Sequence, residues 1–310
     1  MTNEIKILSV KDFARIFNDN LSSLMIKKIN QANLIYQEIS SEEKDACLMK
    51  IIDTLLDDYL VYSGEHRHEQ WDKGWGENLK EYTEKKDFKS VEPKYFGKYS
   101  INRFEKRFIK AISDDFEVKM LGILQYWLFE KYLKDYDYIY EFGCGTGHNL
   151  LRLREINEKA EMWGLDWAKS SQKLITNLKN NGVDNKIFGA NFDFFKPDYK
   201  FNLKKNSAIF TVAALEQVGD RYKEFVDYLL RNKPALCLHI EPLAELLEPK
   251  SNLLDCLSVA YFLKRKYLSG YLDYLKILEK QGKIKIIETR RSYIGSFFID
   301  GYSIIIWRVI

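Results

Sequence analysis

The sequence predicts an α/β fold, with a doubly wound, mostly parallel sheet of seven strands, a C-terminal antiparallel strand pair and a helical N-terminal extension. Three observations predict it. From residue 138 onward, short apolar runs alternate with helical stretches. A glycine-rich turn joins the first of these runs to a helix. Only a short loop separates the last two runs, and so short a connection favours an antiparallel pair.

The composition is that of a folded globular protein. The 310 residues are 46% hydrophobic, 30% charged and 15% aromatic. Because disordered chains are poor in aromatic residues, this content excludes disorder as the main state. The formal net charge of +3 is too small to indicate a nucleic acid or membrane partner.

The cysteines and the N-terminus bear on the compartment. The four cysteines are too scattered for a disulfide framework or a cysteine zinc site, and they suit a reducing compartment. The first residues lack the apolar core of a signal peptide, and the longest apolar runs fall far short of a membrane span. We therefore expect a cytoplasmic protein without a membrane segment.

Residues 1–116 are expected to form the helical extension. Apolar spacing predicts helices within residues 20–63, and the second of them begins at a capping box at Ser40. Residues 64–110 are polar and rich in aromatic rings, without clear periodicity. They are predicted to be a long connecting segment with short helices that lies over the main domain.

The main domain is predicted to span residues 117–310, and a helix over 117–134 begins it. Five strands separated by helical stretches then build the parallel part of the sheet. The predicted parallel strands are Tyr138–Phe142, Glu161–Asp166, Lys186–Ala190, Ala208–Val212 and Ala235–Ile240. The predicted antiparallel pair is Lys283–Thr289 and Tyr302–Val309.

The glycine-rich turn is the strongest functional signal. It follows the first parallel strand and contains Gly143, Gly145 and Gly147, which allow positive φ and a close approach of a ligand to the backbone. Asp166 ends the second strand, and Asp193 follows the third. Because carboxyl ends of parallel strands share one edge of the sheet, these groups are expected to face one crevice.

The motif Glu141-Phe-Gly-Cys-Gly-Thr-Gly resembles the first motif of the class I S-adenosylmethionine-dependent methyltransferases. That motif consists of an acid, any residue and then Gly-x-Gly-x-Gly. Asp166 and Asp193 match the acids that follow the family's second and third strands. The resemblance covers about residues 117–310, includes the antiparallel pair, and does not extend to residues 1–116.

The resemblance implies S-adenosylmethionine as the cofactor and a role for each matching residue. The glycines would approach the methionine part, and the acid before them would orient its amino group. The acid of the second strand would hold the ribose hydroxyls. The next tryptophan would lie against the adenine, and the Asp-Phe pair after the third strand would contact the adenine amino group and ring. The implied cofactor-binding residues are Glu141, Gly143, Gly145, Gly147, Asp166, Trp167, Asp193 and Phe194.

Two other interpretations of the turn remain open. A dinucleotide fingerprint requires Gly-x-Gly-x-x-Gly, and the spacing here is Gly-x-Gly-x-Gly, so NAD is the less favoured ligand. The second interpretation is a cofactor-binding interaction module without catalysis.

Catalytic candidates follow the fourth and fifth strands, where the methyl acceptor is expected. Glu216, Glu241 and His239 are the predicted catalytic residues. Two of them also have a structural interpretation: Glu216 is suited to cap the following helix, and His239 lies inside an apolar strand, where a histidine is often a core residue. No metal is expected. His66-x-His68 with Glu69 lacks a third ligand and is interpreted as a polar loop.

The favoured acceptor is a small molecule, such as a sugar or another hydroxylated metabolite, methylated at oxygen or nitrogen. The fourth strand is not followed by the Asn/Asp-Pro-Pro-Tyr/Phe motif of base-amino methylation, and no Pro-Cys nucleophile occurs. A protein or RNA acceptor is the competing hypothesis. Residues 89–110, with seven basic and two acidic side chains, and Lys264-Arg265-Lys266 are suited either to an anionic acceptor or to a solvated basic face. The oligomeric state is not predicted.

Overall fold

Residues 4–310, which the computed structural model describes, contain twelve strands and ten α-helices. The strands are β1 (Ile5–Ile7), β2 (Ile35–Glu38), β3 (Ile101–Phe104), β4 (Arg107–Ala111), β5 (Tyr138–Phe142), β6 (Glu161–Asp166), β7 (Ile187–Asn191), β8 (Ala208–Val212), β9 (Leu236–Glu241), β10 (Ile284–Arg290), β11 (Ile294–Gly295) and β12 (Ser303–Val309). The helices are α1 (Val10–Phe17), α2 (Ser23–Ala32), α3 (Ser41–Leu56), α4 (His68–Lys85), α5 (Phe116–Tyr132), α6 (His148–Arg154), α7 (Lys169–Asn180), α8 (Lys223–Asn232), α9 (Leu253–Arg265) and α10 (Tyr271–Lys280).

The larger sheet has seven strands in the order β10-β12-β9-β8-β5-β6-β7. Strands β5 to β9 pair in parallel, and β12 pairs antiparallel with both β9 and β10. The predicted fold class is confirmed, including the C-terminal antiparallel pair. The chain runs outward from β5 in both directions, so β5 is the switch point beside which open α/β sheets bind ligands.

A second, antiparallel sheet has the order β1-β2-β4-β3-β11. Four of its strands come from the N-terminal extension, which the sequence predicts to be helical. These strands are only three to five residues long, so they carry too little alternation to be recognised. The fifth, β11, lies in the loop between β10 and β12 and ties this loop to the N-terminal sheet.

Helix α4 lies within residues 64–110, where the sequence predicts a connecting segment with only short helices. It has 18 residues, and only Asn78 and Tyr82 are buried among them, which explains its weak apolar periodicity. The helix packs against α7. The Asp72 carboxylate accepts a hydrogen bond from the Ser170 N–H, 2.8 Å away, and so satisfies a free donor in the first turn of α7.

The hydrophobic core is continuous across the predicted domain boundary at residue 116. Helix α5 is buried on nearly all sides, and its core cluster contains Phe104 and Ile109 of the second sheet as well as Ile139 and Phe210 of the larger one. The N-terminal part is therefore packed directly against the sheet. Across residues 4–310, no helix has the length and apolar character needed to cross a membrane.

Candidate cofactor and acceptor site

The glycine-rich turn connects β5 to α6 and has positive φ at Gly143 (71°), Gly145 (52°) and Gly147 (78°). A Cβ at Gly143 would lie 2.5 Å from the Ala214 Cβ, and one at Gly147 would strike Ile175. A Cβ at Gly145 would lie 2.8 Å from Cζ2 of Trp75. Packing within the protein thus requires glycine at Gly143 and Gly147. At Gly145 the Trp75 ring of α4 lies directly against the turn.

Asp166 at the end of β6 is bonded directly to this turn. Its Oδ2 accepts from the Gly145 N–H at 2.8 Å, and its Oδ1 accepts from the Ala168 N–H at 2.9 Å. Burial raises the pKa of this carboxyl to about 6, against the opposing effect of the two backbone donors. A carboxylate has about four acceptor sites, so each oxygen retains capacity for a ligand hydroxyl.

A cavity of about 970 Å³ runs along this edge of the larger sheet. Gly143, Gly145, Asp166, Trp167 and Phe194 all line it, which brings together five of the eight predicted cofactor-binding residues. Trp167, which follows Asp166 in the sequence, and Phe194 contribute aromatic rings to the lining. The volume lies at the upper end of the range for small-molecule sites.

Three of the predicted cofactor-binding residues do not line the cavity. Glu141 is fully buried, its Oε1 accepts from the Asn149 side chain at 2.7 Å, and burial raises its pKa well above the usual range. Asp193 accepts from the Phe195 N–H at 2.8 Å. Gly147 begins α6. Their contacts with a cofactor stay predictions.

Glu216 lines the same cavity just after β8. Its Oε1 accepts from the Gln217 amide at 2.8 Å, and Gln217 in turn accepts from Arg67 at 2.6 Å. Burial raises the pKa of Glu216 to about 7, while Gln217, Arg265 and Arg67 act in the opposite direction. This carboxyl is therefore close to half-ionised near neutral pH.

The other two predicted catalytic residues lie beneath the cavity wall. Glu241 is fully buried and accepts from the backbone N–H groups of Ala214 (3.1 Å) and Glu216 (3.2 Å), which fixes the loop that carries Glu216. His239 lies between the Thr211 and Tyr271 hydroxyls, and burial lowers its pKa to about 3. A catalytic role for either residue stays a prediction.

Glu117 is a cavity residue that the sequence analysis missed. It lies in the first turn of α5, and its Oε1 accepts from the Tyr302 hydroxyl at 3.2 Å. Burial raises the pKa of Glu117 to about 7. Because β12 is antiparallel, Tyr302 at its start reaches the edge where β5 and β8 end. Tyr95 lies close to these titratable side chains. Burial raises the pKa of Tyr95, and the charges of Glu216, Glu117 and Glu141 raise it further.

The wall opposite the sheet comes from the N-terminal extension. Trp71 and Trp75 of α4 stack with centroids 5.3 Å apart, and the ring of Tyr95 lies 6.2 Å from that of Trp75. His68, predicted to be in a polar loop, instead starts α4 and lies against the Trp167 ring at 3.8 Å. Within residues 4–310, no group of three or more metal-ligating side chains gathers.

Comparison with known proteins gives a short sequence match. No protein-family model matches the chain. A segment of 63 residues is 33% identical to the protein-lysine N-methyltransferase EFM4 of Saccharomyces cerevisiae (strain ATCC 204508 / S288c). The match spans 20% of this chain and 28% of that protein, so it covers less than a third of the relative's length.

Solved structures of methyltransferases are similar in fold. Magnesium protoporphyrin IX methyltransferase (ChlM) from Synechocystis PCC 6803 with bound SAH is 15% identical over 61% of this chain and 82% of its own, with a TM-score of 0.45. The N-methyltransferase NodS from Bradyrhizobium japonicum WM9 with SAH is 10% identical over 62% and 86%, with a TM-score of 0.43. The observed strand order, with its antiparallel pair, agrees with the fold that the resemblance implies.

Proposed function

We propose that the chain is an S-adenosylmethionine-dependent methyltransferase that methylates an oxygen or nitrogen atom of a small molecule. One observation carries the proposal: a single cavity is lined both by the turn with Asp166 and by the two carboxyl groups of Glu117 and Glu216. The features of a nucleoside site and of an acid–base site therefore share one space at the switch point of the sheet.

Asp166, Trp167 and Phe194 would hold the adenosine part of the cofactor. The two oxygens of Asp166 suit the vicinal ribose hydroxyls, and the two rings suit a flat base. Gly145 would let the methionine part approach the backbone. Bound S-adenosylmethionine supplies a methyl group on a sulfonium, which is a good leaving group.

The protein's own part in the reaction would be to orient the acceptor and take up its proton. A general base works best when its pKa lies near the working pH, and burial brings both Glu117 and Glu216 to about 7. Glu241 would act as a positioning residue, because it holds the backbone N–H of Glu216. His239, which lies on β9 with Glu241, would support this strand from the core.

The covering wall favours a small hydroxylated metabolite as the acceptor, a class that includes the sugar expected from the sequence. Trp71, Trp75 and Tyr95 face the sheet across the cavity, and the Arg67–Gln217 hydrogen bond fastens this wall to the loop after β8. Residues 1–116 would thus select the substrate. The match to a protein-lysine N-methyltransferase favours a protein acceptor as the second candidate.

The test combines cofactor binding with methyl transfer. Calorimetry should detect S-adenosylhomocysteine binding to the purified chain. The chain is then incubated with S-adenosylmethionine labelled in its methyl group and, separately, with a protein-free metabolite extract and a protein fraction. We expect enzyme-dependent label in the metabolite extract, and Glu117→Gln or Glu216→Gln should reduce its rate by about 10²-fold or more while cofactor affinity stays within about twofold.

Glu158→Gln is the matched control, because it makes the same substitution at an exposed position. Label found only in the protein fraction would replace the small-molecule acceptor by a protein. Absence of cofactor binding would overturn the methyltransferase proposal. Binding without label in either fraction would favour the non-catalytic module.

A further inference from the structure

We propose that the acceptor is a flat aromatic molecule with an anionic group, and that the guanidinium groups of Arg67 and Arg265 hold this group. The inference rests on the proposed function and names its substrate class. It assigns a role to Arg265, which belongs to the basic run Lys264-Arg265-Lys266. The sequence alone allows this run either to bind an anionic acceptor or to form a solvated basic face.

The two arginines reach the cavity from different parts of the chain. Arg67 precedes α4 and is only 8% exposed, and Arg265 is the last residue of α9. Both side chains line the cavity. They lie close enough for the charge of Arg265 to add to burial in lowering the pKa of Arg67. Two like charges in one partly buried space repel each other, and a bound anion would relieve that repulsion.

Donor groups of both guanidinium groups are available for an anion. Arg67 donates from Nε to Gln70 at 3.0 Å and from Nη1 to Gln217 at 2.6 Å, and these bonds hold its plane while leaving other N–H donors. The Nε of Arg265 is buried and has no hydrogen-bond partner within the described chain. A buried donor without a partner is costly, so a ligand oxygen there would be favoured.

Glu216 supplies a carboxyl group beside Arg67 and Arg265. Arg265 and Arg67 both favour its ionised form, and the Tyr267 hydroxyl bonds it as well. When Glu216 is ionised, its carboxylate balances one guanidinium and leaves the other unbalanced. An acceptor with one negative charge would balance the second guanidinium.

Aromatic rings form the wall next to the arginines. Tyr261 and Phe298 stack with centroids 5.0 Å apart, Tyr99 lies 5.1 Å from Phe297, and all four line the cavity. Arg265 lies over the Tyr261 ring at 5.8 Å, so the cations and the rings adjoin. A flat apolar ring with an anionic substituent matches this combination.

The test uses 4-hydroxybenzoate and its uncharged analogue 4-hydroxybenzamide as probes, with the chain saturated by S-adenosylhomocysteine. Calorimetry should show the acid binding at least tenfold more tightly than the amide. Arg265→Met should weaken the acid by tenfold or more and leave the amide within about twofold, because only the acid gains charge-assisted hydrogen bonds. Arg265→Lys should fall between the two, since it keeps the charge without the planar fork.

Arg308→Met is the matched control, because it removes one positive charge from an exposed position on β12. Equal affinity for acid and amide, no binding of the acid at millimolar concentration, or an unchanged acid preference in Arg265→Met would each overturn the proposal. Titration with S-adenosylhomocysteine tests the methyltransferase proposal separately from the anion site. If S-adenosylhomocysteine does not bind, the same probes on the free chain still test the anion site.

Discussion

Cofactor affinity should depend on pH through Asp166. Burial raises the pKa of this carboxyl to about 6 in the free protein, above the ordinary value of about 3.9. A ribose diol donates its hydrogen bonds best to the ionised carboxylate, so binding selects the deprotonated form and lowers the pKa. Affinity is therefore greatest well above pH 6 and falls as the pH drops through 6.

The magnitude follows from linkage. A group with a pKa of about 6 is roughly nine-tenths protonated at pH 5 and one-tenth protonated at pH 7, so the dissociation constant should be about tenfold larger at pH 5. Asp166→Asn removes both the titration and the charge-assisted bonds. We expect it to bind S-adenosylhomocysteine about 10- to 100-fold more weakly at pH 7, with no change between pH 5 and 7.

Calorimetry in buffers of different ionisation enthalpy measures both the affinity and the protons released on binding. Glu117→Gln and Glu216→Gln serve as controls, because their carboxyls also have raised pKa values and lie in the same cavity. These variants should keep the tenfold dependence. An affinity that is flat with pH in the wild type, or a pH dependence that persists in Asp166→Asn, would refute the reasoning.

Two further predictions concern the turn and the fold. Gly145→Val should reduce S-adenosylhomocysteine affinity at least tenfold and also lower the unfolding free energy by about 1–3 kcal/mol, because φ is +52° and a Cβ would lie 2.8 Å from Trp75. If Trp75→Ala restores binding in the Gly145→Val variant, the Trp75 ring, and not the ligand, requires glycine at this position. Arg291→Met should lower the unfolding free energy measured in urea by about 3–5 kcal/mol, because it leaves the Asp255 and Asp300 carboxylates buried without their cation. A loss below about 1 kcal/mol, similar to that of the exposed control Arg308→Met, would contradict this account.

The larger sheet was predictable because its central strands are buried on both faces. Strands of this kind form continuous apolar runs between turn signals, and β5, β6 and β8 begin and end where the sequence predicts. The N-terminal sheet was not predictable in this way. Its strands are short, and β11 has two residues whose partner in β3 lies about 190 positions earlier in the chain.

The same distinction separates the two ends of the cavity. The turn and Asp166 are recognisable because the chemistry of a nucleoside site is concentrated in short segments at strand ends. Glu117, Tyr302 and Arg67 come from three distant segments, and only packing brings them to one cavity. The sequence carries partial signals for this end: the aromatic content of residues 64–110 and the Lys264-Arg265-Lys266 run. Neither signal indicates which side chains face the cavity.

The helix that covers the acceptor end also contacts the elements that would hold the cofactor. Trp75 faces Gly145 of the turn, and Asp72 bonds the first turn of α7, which follows Asp166 directly. Arg67, just before the same helix, is fastened to the loop that carries Glu216. A cofactor seated on the turn would therefore touch the same helix that shapes the acceptor space. We therefore expect the part of the chain without family resemblance to select the substrate, and the turn with Asp166 to hold the methyl donor.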